Sequence, residues 1–254
     1  MELRLIRNAT LRLRYGGVDF LIDPMLGVRH AIRAMGDSPE RNPTIDLPCS
    51  IDEVLGGVDA VIVSHLHPDH LDEAAFGLVP RHLPVLCQAG DGDKLTGAGF
   101  DATELTATTR YHDVEITPVE ATHGSGPILE RMGSVTGLLF RAEGEPTLYW
   151  SGDTVLTDAV RDTLAVAEPD VVVTHSGGAA AGGTTIIMDI DDTLEVARVA
   201  PSAIVIAVHL EAVAHAPVTR AALRAAADAA GIEPARLRIP ADGETIALAA
   251  VAHR

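Results

Sequence analysis

The sequence predicts an α/β fold on three observations. Short apolar runs with strand character recur along the chain, at Ala60–Val63, Pro84–Cys87, Leu138–Arg141, Thr147–Trp150, Val171–Thr174 and Ala203–Val208. Between or after them lie stretches of helical periodicity, Val155–Ala167, Ile190–Val199 and Val218–Ala230. Strands that alternate with helices in this way build layered α/β architectures. Finally, 47% of the 254 residues are hydrophobic. That supplies a sizeable core and excludes a disordered or fibrous chain.

The elements follow in order. Glu2–Ile6 and Leu11–Tyr15 alternate like strands around Asn8-Ala9-Thr10, and Gly16-Gly17 turns the chain into Val18–Ile22. From Asp23-Pro24 to Ser50 no period holds, apart from a short helix expected near Val28–Met35. A loop this long inside a compact unit is read as a lid, over residues 24–50. Buried strand character returns at Asp59–Ser64, and Val114–Val119 is strand-like. Asp189 or Asp191 is placed to cap the helix at Ile190, and Pro217 takes a first-turn position in the last helix, which Gly231 stops. Trp150 and Phe140 read as core, and His82, His112 and His253 as surface. With no domain-sized linker or repeat, one domain over residues 1–254 is expected. A faint internal echo links two buried strands: one runs into His65 and His67, the other into His209, with His215 beyond.

Composition narrows the function. The chain has 36 acidic and 19 basic residues, a formal charge of −17, which repels phosphate backbones and weighs against a nucleic-acid partner. No apolar run approaches the roughly 18 residues that cross a bilayer, so no membrane span is expected. The start of the chain has no leader pattern. Two cysteines, Cys49 and Cys87, exclude a disulfide framework and fit a reducing cytoplasm. The single lysine, Lys94, is read on a Gly-rich loop with Ala89–Asp93, with nothing around it that looks like the desolvating pocket of a Schiff-base residue.

Chemistry concentrates in Ser64-His65-Leu66-His67-Pro68-Asp69-His70-Leu71-Asp72. Four potential ligands occupy six positions directly after a buried strand. In an extended segment His65 and His67 point the same way, and Pro68 then turns Asp69 and His70 to the neighbouring side. One loop can thus serve two metal ions. Imidazole and carboxylate suit zinc, manganese or iron, and the absence of cysteine argues against a closed structural zinc site. Further candidates follow strand-like runs: His123, Asp153 and His209. Open α/β proteins gather their sites at such strand ends. Taken alone, Asp153 also reads as a cap for a helix beginning near Val155.

His65-x-His67-x-Asp69-His70 followed by His123, Asp153 and His209 resembles the metallo-β-lactamase superfamily, from Asp23 nearly to the C-terminus. Leu21-Ile22-Asp23-Pro24, Ser151-Gly152-Asp153-Thr154 and Met188-Asp189 are similar to its broad metal-dependent hydrolase group, which includes the ascorbate-6-phosphate lactonase-like proteins. The resemblance implies a four-layer αβ/βα sandwich with two divalent metal ions at one edge, Zn2+ first and Mn2+ or Fe2+ as alternatives. His65, His67 and His123 would hold one ion; Asp69, His70 and His209 would hold the other, with Asp153 bridging. It further implies a metal-bridging hydroxide acting on a small ester, lactone or phosphoester. His67 stands where the diiron redox branch carries glutamate, and no cysteine holds a ligand position, which speaks against a β-lactamase.

Asp69 is a candidate to orient or deprotonate the nucleophile, and His215 to protonate a leaving group. Asp23, Asp72 and Asp189 are candidates to support the ligands, and His175 and Glu211 to face the site; Arg29 and His30 on the early loop could meet an anionic substrate. Three other readings stay open: a mononuclear iron oxygenase on the same scaffold, a superfamily nuclease disfavoured by the charge, and a metal- or ligand-binding protein without turnover. The expected partner is a small molecule, and a homo-oligomer is compatible with the sequence.

Overall fold

Residue parity explains why two sheets stack face to face. The computed structural model describes residues 1–34 and 39–249. The chain forms β1 (Glu2–Arg7), β2 (Thr10–Tyr15), β3 (Val18–Ile22), β4 (Ala60–Val63), β5 (Pro84–Gln88) and β6 (Asp101–Leu105), which build the first sheet. Next come β7 (Thr109–Tyr111), β8 (Val114–Glu120), β9 (Thr136–Arg141), β10 (Leu148–Trp150) and β11 (Val171–His175) of the second. A small hairpin of β12 (Ala180–Ala181) and β13 (Thr184–Thr185) follows. Then β14 (Ile204–Val208) and β15 (Leu237–Arg238) complete the second sheet, and β16 (Thr245–Ala247) returns to the first beside β1. The orders are β16-β1-β2-β3-β4-β5-β6 and β15-β14-β11-β10-β9-β8-β7.

Alternate residues go to opposite sides of each strand. Ala60 and Ile62 of β4, with Val171 and Val173 of β11, fill the core between the sheets, together with Phe20, Phe140 and Trp150. Val61 and Val63 face outward onto α1 (Ile51–Leu55), α2 (Glu73–Leu78) and α3 (Gly92–Gly97). Val172 and Val205 face outward onto α5 (Asp158–Ala167), α6 (Ile190–Val199) and α7 (Arg220–Ala229), and the short α4 (Leu129–Met132) lies at the site edge. Helices, sheet, sheet and helices make the four layers of the expected sandwich. Among the described residues no helix is long and apolar enough to cross a membrane.

Several boundaries move. No helix forms over residues 28–34, where a turn and an isolated Ile32–Asn42 bridge hold the backbone; Met35 lies outside the described residues. The last helix starts at Arg220 under a Thr219 cap, so Pro217 precedes it. Lys94 sits in α3 rather than on a loop. The helix after Asp153 begins only at Asp158, capped by Thr157, which frees Asp153 from capping. His82 and His112 are exposed, and His253 lies outside the described residues.

The described parts of the 24–50 segment are bonded to the rest of the chain. The fully buried guanidinium of Arg7 donates to the carbonyls of Met25 (2.8 Å), Gly27 (2.8 Å) and Ile45 (3.0 Å). Burial pushes its pKa down to about 10, which leaves it cationic at neutral pH. Asn42 and Thr44 bond to Ala214, Ala212 and Glu211, tying the segment to the loop after β14. Replacing Arg7 with Met would strand the buried carbonyls of Met25 and Gly27 and the half-buried carbonyl of Ile45. We expect Arg7→Met to lower the unfolding free energy by about 2–4 kcal/mol in a denaturant titration; a change under about 0.5 kcal/mol would contradict the bracing role.

Candidate metal centre

Six strand ends supply the centre. Asp23 follows β3, β4 runs into Ser64 and the His65–His70 loop, and β8 precedes His123. Asp153 follows β10, His175 ends β11, and His209 follows β14. Parity puts His175 on the same side as Val171 and Val173, so its ring closes the inter-sheet core, against Trp150 at 5.2 Å between centroids.

Two groups of potential ligands form. Ring nitrogens of His65, His67 and His123 converge in one, with 2.9 Å between His65 Nε2 and His67 Nδ1. His70, Asp153, His175 and His209 converge in the other, all buried. Asp153 Oδ2 stands between them, 3.2 Å from His70 Nε2, 3.4 Å from His123 Nε2 and 3.9 Å from His65 Nε2. Asp69 Oδ2 lies 3.2 Å from His209 Nε2 and 4.0 Å from His70 Nε2, at the rim of the second group.

These separations fit a cation. Ligand atoms around a tetrahedral ion with bonds of 2.0–2.1 Å lie about 3.3 Å apart. His70 Nε2, buried, has no hydrogen-bond partner among the described residues, while its Nδ1 is held 2.7 Å from Asp23 Oδ2. His123 Nδ1 is held 2.7 Å from the Ile186 carbonyl and His65 Nδ1 2.9 Å from Ser64 Oγ, so in each ring the other nitrogen is left for the centre. Such outer bonds orient metal-binding imidazoles. Electrostatics make the same demand. Burial opposes the charge on Asp153, yet the His70 and His209 rings hold its carboxyl well below the usual carboxylate range. Burial also opposes charge on His70, but Asp153 and Asp23 push its pKa well above the ordinary value. The pocket thus calls for positive charge, which a divalent ion meets with the ring unprotonated.

Other candidates fall in different places. Asp23 accepts from Ser64 N (2.8 Å) and Ser64 Oγ (2.7 Å) besides holding His70. His175 Nδ1 is 2.7 Å from Asp153 Oδ1. His215 is mostly buried and within the field of Asp69, His209, Asp153 and His123; burial lowers its pKa, so the ring rests neutral. Asp72 caps α2 and accepts from Gly27 N at 2.6 Å, and Asp189 caps α6. Glu211 pairs with Arg220 at 2.6 Å. Arg29 and His30 are exposed and contact each other at 3.2 Å. A cavity of about 290 Å³ opens beside His65 and His67, walled by Leu66, Gln88, Lys94 and Met132. The fully buried Asn8, at the turn between β1 and β2, also reaches the centre; sequence reasoning saw only a turn there.

Residues 19–210 match the model of the beta-lactamase superfamily domain. UPF0173 protein YddR of Bacillus subtilis is 35% identical over 252 residues, 96% of this chain and 99% of the relative. The isothiocyanate hydrolase from Delia radicum gut bacteria superposes with a TM-score of 0.93 at 37% identity, over 98% of this chain and 100% of that one. A possible metal-dependent hydrolase from Veillonella parvula gives 0.93 at 33% identity, over 98% and 99%.

The Asp23 bonds yield a prediction. Asp23→Asn keeps the shape but removes the charge beside His70, so metal affinity should fall about 10–100-fold in a chelator-competition titration. Unchanged affinity would mean that Asp23 does no more than fill space.

Proposed function

The chain belongs to the metallo-β-lactamase superfamily and is a metal-dependent hydrolase; from that premise we propose that it works with two divalent ions, zinc first and Mn2+ or Fe2+ as alternatives, on a small electrophile. The observation that carries this reading is Asp153 Oδ2, poised 3.2 Å and 3.4 Å from imidazole nitrogens of two separate groups. When bound, the ions would supply hydroxide from water near neutral pH and polarise the electrophile.

The chain's own residues then have distinct tasks. Asp153 presents one carboxylate to both groups, and Asp69 orients the water from the rim. His215, neutral at rest, takes a proton and passes it to the leaving atom. Its lowered pKa keeps the ring neutral through pH 7 and somewhat below, so this function would be lost only as acid protonates it. The cavity beside His65 and His67 suits a small molecule rather than a polymer. A charge of −17 disfavours nucleic acid, and the free thiols Cys49 and Cys87 favour the cytoplasm.

Within this reading an isothiocyanate is the first substrate class, supported by the full-length likeness to the isothiocyanate hydrolase. Water adds across the C=N bond, oxygen to carbon and proton to nitrogen. Cleavage of the C–N bond then releases an amine and carbonyl sulfide, with the hydroxyl proton of the adduct passing to nitrogen. A small ester, lactone or phosphoester is the second class, supported by the His/Asp set alone.

Zinc- and manganese-loaded protein should be assayed against isothiocyanates, lactones, thioesters and phosphodiesters. Isothiocyanate loss with matching amine release is expected; turnover of another class alone would replace the first choice. Asp153→Ala should abolish turnover with the fold intact by circular dichroism, and retained full activity would remove the bridging role. His215→Ala should lower kcat by about 10²–10⁴ with metal content unchanged. A wild-type rate in that variant would exclude His215 from proton transfer.

A further inference from the structure

Asn8 lies far from the metal loop in sequence, yet it touches two of that centre's groups. Its Nδ2 donates to the Asp69 carbonyl at 3.1 Å and stands 3.3 Å from His209 Nε2. Its own carbonyl accepts from His209 N at 3.0 Å. The side chain is fully buried, and its Oδ1 has no hydrogen-bond partner among the described residues. Both backbones are left-handed, with φ of 59° at Asn8 and 61° at His209. Asparagine tolerates that conformation; histidine adopts it less readily and needs something to hold it there.

From these contacts we infer that Asn8 is a positioning residue for the second metal ion, the one nearest Asp69, His70 and His209; the inference rests on the two-ion reading above. One carboxamide fixes the loop that carries Asp69 and steers the His209 ring, while the Asn8 carbonyl pins the His209 backbone. The amide hydrogen facing His209 Nε2 favours the tautomer in which that nitrogen carries no proton. A metal requires the same tautomer; on binding it takes that lone pair, and the amide keeps its bond to the Asp69 carbonyl. Asn8 therefore opposes the competing arrangement in which Nε2 keeps its proton for Asp69 Oδ2, 3.2 Å away. The unpaired Oδ1 fits a residue kept for its amide donor rather than for a fully satisfied structural network.

His65, His67 and His123 make none of these contacts with Asn8, so the effect should be confined to one ion. The test is a zinc titration of the full chain against a chromophoric chelator. Glycine is at ease at this φ, so Asn8→Gly removes the carboxamide and spares the backbone bond to His209. The wild-type chain should take two zinc equivalents. In the variant one should bind as before and the other about 10–100-fold more weakly. Asn8→Ser, whose hydroxyl is too short to reach either partner, should give the same pattern and serves if the glycine variant does not fold. Two wild-type affinities in either folded variant would overturn the inference. Equal loss of both ions would also overturn it, by marking a general structural effect. A wild-type chain that takes fewer than two equivalents would instead defeat the two-ion reading.

Discussion

The carboxylate of Asp153, buried among imidazoles, is the constraint on which the site depends. A buried anion is costly unless positive charge and hydrogen bonds meet it. Here His175 reaches one oxygen at 2.7 Å while His70 and His123 approach the other at 3.2 Å and 3.4 Å. Both longer contacts match the spacing of atoms that share a cation. The arrangement has its full electrostatic sense with divalent charge between the rings.

The two sheets exist, functionally, to present strand ends at one edge. Parallel pairing of β3 with β4 brings Asp23 beside Ser64, and parallel pairing of β10, β11 and β14 brings Asp153, His175 and His209 together. The inter-sheet core runs up to Trp150 and Val173 and stops at His175. The site therefore sits where apolar packing gives way to polar groups, with rigid strands fixing first positions and short loops fixing the rest. Arg7 extends this rigidity to the segment after β3, which in turn is bonded to the loop bearing Glu211 and Ala214.

Local patterns made part of this legible in the sequence. Alternation marked β1, β2 and β3, buried runs marked β4, β11 and β14, and the six-position ligand motif after β4 announced its own chemistry. The polar Asp101–Leu105 and the short Thr109–Tyr111 gave no such signal, because edge strands need little apolar surface. Aspartates at strand ends were ambiguous for a physical reason. An N-cap and a ligand both require a short carboxylate just after extended backbone. Asp72 and Asp189 turned out to cap helices, whereas Asp153 does not. Asn8 was illegible because its partners lie 61 and 201 residues away and only the folded topology brings them near.

The proposed chemistry depends first on what stands at Asp153. The most direct measurement is an anomalous difference map from crystals of the metal-loaded protein, collected at the absorption edge of the metal. The account predicts two peaks flanking Asp153 Oδ2, one among His65, His67 and His123 and one beside His70 and His209. A single peak, or peaks away from Asp153, would contradict it.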